Sequence, residues 1–138
     1  MSPVDKIKDF YANLSEDRLK NISDLYVDNA FFKDPFNELD SLSDIKKIFE
    51  EMFDELDNPR FVFIDEIESQ DQAFLTWDFV FSRSSREFKI HGSTHIKFNE
   101  ENMVTYHRDY WDAGEELLLK IPIVKSLYSI IRNKLSVK

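Results

Sequence analysis

The chain has 138 residues, 42% of them hydrophobic, enough for one folded core and too apolar for wholesale disorder. Its 27 acidic against 18 basic residues leave a net charge of −9, which argues against nucleic acid as a partner, and the absence of Cys excludes disulfides, thiolate metal sites and a Cys nucleophile. Thirteen Phe stand against two Gly and no GxGxxG or P-loop string occurs, so nucleotide binding through a glycine-rich loop is not expected.

The N-terminus has no apolar leader and no run is long enough to cross a bilayer, so a soluble, cytoplasmic protein is expected. Ser2 offers a cap to a first helix, with Pro3 in its first turn and Val4, Ile7, Phe10, Tyr11 and Leu14 at helical spacing. Ser15 offers a second cap, to a short helix carrying Leu19, Ile22, Leu25 and Tyr26 to a stop at Asp28-Asn29. Ala30-Phe31-Phe32-Lys33 then reads as a brief strand, broken by Asp34-Pro35-Phe36-Asn37. From Ser43 a third helix places Ile45, Ile48, Phe49, Met52, Phe53 and Leu56 on one stripe, and Asn58-Pro59 closes it.

Beyond residue 60 the hydrophobic period changes from 3.6 to 2. Arg60 to Ser69, Gln72 to Arg83, Arg86 to Asn99 and Met103 to Asp112 read as four long strands of an antiparallel meander. A last helical stretch runs through Leu117, Leu118 and Leu119, pauses at Pro122 and resumes with Val124, Leu127, Tyr128, Ile131 and Leu135. No repeat or linker divides the chain, so residues 1–138 are expected to form one domain. Helices followed by a run of strands predict an α+β fold: a cone-shaped, curved antiparallel sheet packed against the N-terminal helices, with an additional C-terminal helix.

This order of elements, with a strand ending in Asp34-Pro35 and the string Tyr106-His107-Arg108-Asp109-Tyr110-Trp111-Asp112, resembles the SnoaL-like branch of the nuclear-transport-factor-2-like superfamily, which has the ketosteroid isomerase fold. The resemblance implies a cone enclosing an apolar pocket. Laid on this sequence, the isomerase's general base falls on Asp34, its oxyanion-binding Tyr on Phe10, and its second donor, a protonated Asp, on Thr94. The base position is kept while both donors are lost. Losing one such donor costs roughly a hundredfold to a thousandfold in rate, so ketosteroid isomerisation itself is not expected.

The same overlay, with the alternation of strand side chains, assigns faces. Thr105, His107, Asp109 and Trp111 are expected to point into the pocket, as are Ile90, Gly92, Thr94 and Ile96, which turns His91 and His95 outward. On the strand from Gln72 to Arg83, Thr76, Asp78 and Val80 are expected inside and Leu75, Trp77, Phe79 and Phe81 outside. The superfamily commonly pairs protomers through its outer sheet face, so that apolar outer row implies a homodimer.

His107 and Asp109 lie two apart on one strand and share a face, with Asp34 expected to enter from the opposite side. Apolar burial raises a carboxyl pKa and an imidazole titrates near neutral pH, a combination suited to proton transfer. Asp34, His107 and Asp109 are therefore the candidate catalytic set, and Phe10, Thr94, Trp111, Thr76 and Asp78 the candidate ligand contacts. The structural alternative is that these groups satisfy one another, Asp34 acting as a turn former. His91 and His95 share a face without a third ligand nearby, so no metal is expected, and no cofactor. The expected partner is a small hydrophobic molecule, with an isomerase, cyclase or hydrolase activity, or else a non-catalytic ligand-binding or dimerisation module. The segment from Ile121 to Lys138 is basic and amphipathic. It is expected to cover the cone mouth or meet a partner subunit, membrane-surface contact being the less favoured alternative.

Overall fold

The computed structural model of the protein describes residues 1–113. The expected C-terminal helix lies outside the described residues. Helix α1 (Pro3–Ala12) starts as its sequence dictates: Ser2 Oγ accepts from the Asp5 N–H at 3.0 Å, and Pro3 occupies the first turn. Helix α2 (Glu16–Leu19) is capped by Ser15 in the same way and is followed by a single 3-10 turn, Ile22–Asp24.

Here the structure departs from the sequence expectation. Tyr26 is not the end of a helix but the first residue of strand β1 (Tyr26–Lys33). The spacing of Leu19, Ile22 and Leu25 suits a helix, but the next stretch is rich in aromatic and β-branched residues and has a strand to pair with. The remaining elements are β2 (Glu38–Leu39), α3 (Leu42–Glu55), β3 (Asp57–Ser69), β4 (Gln72–Arg83), β5 (Arg86–Phe98) and β6 (Val104–Tyr110). Helix α3 is capped by Ser41 and begins at Leu42, one residue before the expected start at Ser43.

Strands β3 to β6 form the expected antiparallel meander, within a six-stranded sheet of order β2-β1-β6-β5-β4-β3. β1 joins β6 in parallel, so the sheet is mixed and open. A parallel neighbour needs a long crossover, and here the chain passes through α3 and the whole meander before β6 returns beside β1. The β4–β5 turn is two residues, Ser84 and Ser85, with φ of 54° and 63°. Such left-handed pairs match the twist of a hairpin and usually take Asn-Gly. In so glycine-poor a chain, the left-handed positions among the described residues fall on Asn58, Gln70, Ser84, Ser85 and Asn102.

The helices cover the inner face of the sheet. Val4, Ile7, Phe10, Tyr11, Ile45 and Phe49 pack with Phe32, Leu75, Ile96 and Val104 in the main core. A second cluster, Phe81, Phe88 and Ile90, is joined by Phe36, Phe79 and Trp111 at the mouth of the cone.

The face assignment of β4 is corrected by its pairing. Leu75 stands opposite Thr94, Trp77 opposite Gly92 and Phe79 opposite Ile90, so the apolar row faces the core, while Thr76 and Asp78 pair with Ser93 and His91 on the outer face. A one-residue difference in phase inverts every side chain, and burial of the more apolar row decides the phase. Gly92 makes this packing feasible: a Cβ there would run into the Trp77 ring. Gly92→Ala is therefore expected to destabilise the fold by about 1–3 kcal/mol through overpacking, read as a lower urea midpoint. An unchanged midpoint would mean that the indole is not held against β5. On the outer face Val62, Ile67 and Phe74 remain exposed. Among the described residues, no helix is long and apolar enough to cross a membrane.

Candidate functional site

Six polar side chains from five elements meet inside the cone. β6 sends His107 and Asp109 inward, β5 contributes Thr94, β4 Trp77, β1 Tyr26 and α1 Tyr11. They form one continuous chain of hydrogen bonds. Tyr11 and Tyr26 hydroxyls are 2.6 Å apart, and Tyr26 Oη is 2.6 Å from His107 Nδ1. His107 Nε2 lies 2.8 Å from Asp109 Oδ1, which also accepts from Thr94 Oγ1 at 2.6 Å. Trp77 Nε1 donates to Thr94 Oγ1 at 2.8 Å. Trp77, Thr94 and His107 are almost fully buried, as are both tyrosines. Burial pushes both phenols well above the ordinary tyrosine value, and the charge of Asp109 adds to this, so they stay neutral donors.

Asp109 is the member that leaves the interior. Its side chain is 13% exposed. Among the described residues no donor reaches Oδ2 and no buried side-chain polar atom is left without a partner, so Oδ2 is not fully enclosed. Asp109 belongs both to the cone lining and to the mouth.

The interior itself is filled. Between Ile7, Tyr11, Phe49, Phe61, Phe63 and Trp77 only about 10 Å³ remains. That is at the threshold for a single water, so the cone interior is filled, largely by aromatic side chains. The larger cavity, about 440 Å³, is at the mouth, lined by Lys33, Asp34, Pro35, Arg108, Asp109, Tyr110, Trp111 and Asp112. Of its cations, Lys33 is bound to Glu38 at 2.8 Å and Arg108 lies over the Tyr110 ring, 4.7 Å from its centroid.

Asp34 reaches this mouth from beside Asp109, not from the opposite side, because the parallel register pairing Lys33 with Arg108 carries the two aspartates along together. Its Oδ1 accepts from the N–H groups of Phe36 at 2.8 Å and Asn37 at 2.7 Å, and Asn37 Nδ2 reaches both carboxyl oxygens. Much of its hydrogen-bonding capacity thus holds the turn at Pro35. Burial raises its pKa above the ordinary 3.8, opposed by those hydrogen bonds and assisted by the charge of Asp109. A carboxyl whose folded pKa is raised adds stability in its protonated form and loses it as pH rises through the raised value. Urea midpoints taken upward from pH 3.8 are therefore expected to fall more for the wild type than for Asp34→Asn. Parallel profiles would contradict the burial.

The other candidates fall as follows. Thr94 is in the chain, and Trp111 stands edge-on to Phe36 at 5.2 Å beside the mouth. Phe10 does not line the cone, and its neighbour Tyr11 does. The overlay is therefore one residue out on α1, and a hydroxyl is present where none was expected. Thr76 Oγ1 accepts from the Asp65 N–H on the outer face, where Asp78 pairs with His91 at 3.0 Å. Among the described residues, no group of three or more His, Asp or Glu is placed to hold a metal ion. Sequence reasoning missed Tyr11 and Tyr26. Their one signal was a polar hydroxyl on otherwise apolar positions.

Comparison with known proteins places this geometry. No match is found among curated proteins. Among solved structures, an NTF2-like protein of unknown function from Burkholderia pseudomallei aligns at 12% identity with a TM-score of 0.73, over 87% of this chain and 98% of that one. A protein of ketosteroid isomerase-like fold from Catenulispora acidiphila, solved in complex with trimethylamine, aligns at 11% identity and a TM-score of 0.70, over 86% and 91%. TerC, co-crystallised with polyporic acid, aligns at 12% and 0.70, over 82% and 93%. At such identities the likeness speaks for the fold alone. The SnoaL-like domain matches residues 7–107, well over half of the chain. The α+β cone described above is thus that of a member of the SnoaL-like domain family, to which this chain belongs.

Proposed function

We propose that the protein binds a small, largely hydrophobic molecule at the mouth of its cone and acts on it by cofactor-independent proton transfer, as an isomerase, cyclase or hydrolase. The observation that carries this reading is Asp109: one carboxyl oxygen is held by His107 and Thr94, the other takes no donor among the described residues, and the residue lines the mouth. Pro35 and Trp111 are the apolar members of the mouth lining, and Trp111 is backed by Phe36 and the Phe81, Phe88 and Ile90 cluster. A proton taken from a substrate C–H or O–H goes to Asp109 Oδ2, and the electron pair stays on the substrate. The hydrogen bonds to Oδ1 keep the carboxylate aimed, the positioning that general base catalysis requires. The co-crystallisation of TerC with polyporic acid supports ligand binding by this fold.

The reading is tested by ¹H–¹⁵N spectra recorded against a library of small molecules with apolar bodies. Hits are expected to shift Asp34, Asp109 and Trp111. Hits confined to the outer sheet face, or none at all, would overturn it.

The filled cone favours a second reading, a non-catalytic module that pairs with a second copy. The outer face would then be the interface, through the exposed Val62, Ile67 and Phe74 rather than the buried β4 row. Light scattering decides it: a dimer that Phe74→Glu converts to a monomer supports the pairing, and a wild-type monomer at all concentrations refutes it.

A further inference from the structure

His107 sits between a phenol and a carboxylate, and the direction of each hydrogen bond in the buried chain follows from counting protons. Tyr11 makes no hydrogen bond among the described residues other than the one to Tyr26, so its proton has no other buried acceptor. If Tyr11 donates to Tyr26, the Tyr26 proton is left to donate to His107 Nδ1. Nδ1 must then be bare, and the imidazole proton sits on Nε2, where it meets Asp109 Oδ1. In the opposite tautomer a bare Nε2 would face the carboxylate lone pairs at 2.8 Å, and the proton of Tyr11 would be stranded. A stranded buried donor is costly, and Tyr11 is 4% exposed.

We propose that the Tyr11–Tyr26 pair positions His107, fixing its Nε2–H tautomer independently of Asp109. Tyr26 is the positioning residue and Tyr11 orients it. His107 then donates to Asp109 throughout, and the group that takes a proton from a substrate is Asp109, through Oδ2. That last step rests on the function proposed above. The tautomer does not, because it exists without any ligand.

The rings around His107 fit this role. Tyr26 is stacked on it at 5.9 Å, Phe32 lies at 4.9 Å and Tyr11 stands edge-on at 5.8 Å, so the imidazole cannot turn to exchange its nitrogens without displacing three aromatic side chains. The substitution Asp109→Asn makes the pair's contribution visible, since a carboxamide can present either its oxygen or its NH₂ to Nε2.

Long-range ¹H–¹⁵N spectra of ¹⁵N-histidine-labelled full chain read the tautomer directly. Wild type and Asp109→Asn are both expected to show His107 as the single Nε2–H form. The double variant Asp109→Asn with Tyr26→Phe is expected to show a mixture of the two tautomers. An Nδ1–H form in the wild type, a switch of tautomer in Asp109→Asn, or a double variant that keeps the single Nε2–H form would each overturn the proposal. The first two arms stand even where Tyr26→Phe does not fold. A failed ligand screen with the expected tautomers would count against the proposed function alone.

Discussion

His107→Ala is expected to destabilise the fold by about 3–5 kcal/mol, the largest effect of any single change in the site. Two costs add. The Tyr26 hydroxyl loses its acceptor and the Asp109 Oδ1 loses one of its two donors, and a buried group left unpaired costs about 1–3 kcal/mol. The ring also leaves a hole among Tyr11, Tyr26 and Phe32, of the kind whose cost grows with the volume that neighbours fail to fill. Tyr26 is 1% exposed, so bulk water offers little relief. Urea unfolding at neutral pH measures the loss. A cost below about 1 kcal/mol would mean that the chain of hydrogen bonds is not closed in solution.

The second large effect separates function from stability. Asp109→Asn keeps an oxygen able to accept from both His107 and Thr94, so the fold is expected to stay within about 1 kcal/mol of wild type. Its second atom becomes an NH₂ donor, which cannot take up a proton. On any substrate that the wild type turns over, the rate is expected to fall roughly a hundredfold to ten-thousandfold, the usual contribution of a positioned general base. Urea midpoints and turnover on the same preparations check both halves. A stable variant with unchanged turnover would move the base elsewhere, Asp34 being the neighbouring carboxyl at the mouth.

Much of the architecture could be read from periodicity. The meander runs at period 2, and β3 to β6 lie within a few residues of the expected strands. Ser2 and Ser15 cap helices because their oxygens meet the free N–H groups of a first turn. What periodicity could not reach were long-range choices. Tyr26 sits at helical spacing from Leu19 and Ile22, and only pairing with β6, far along the chain, makes it a strand residue. The phase of β4 depends on which row faces the helices, and the apolar row of Leu75 and Trp77 wins the interior once Gly92 makes room for the indole.

The site was legible in part for the same reason. His107 and Asp109 share a face at a spacing of two, so strand alternation brings them together, with Thr94 opposite Asp109 on β5. Tyr11 and Tyr26 join them only through the packing of α1 and β1, which no local pattern encodes. On α1, Phe10 and Tyr11 differ by one helical step, and that step separates a ring packed in the main core from a hydroxyl in the hydrogen-bond chain. Thirteen Phe are compatible with a lined or a filled cone alike, and packing of Phe49, Phe61 and Phe63 with Trp77 makes it a filled one. Of the two spaces that Asp109 lines, the one with room for a ligand is then the mouth.

That Asp109 at the mouth is the ligand-binding group is tested most directly by native mass spectrometry of wild type and Asp109→Asn, purified side by side from the same host. The account predicts a small molecule retained by the wild type and absent from the variant. Identical spectra for the two proteins would contradict it.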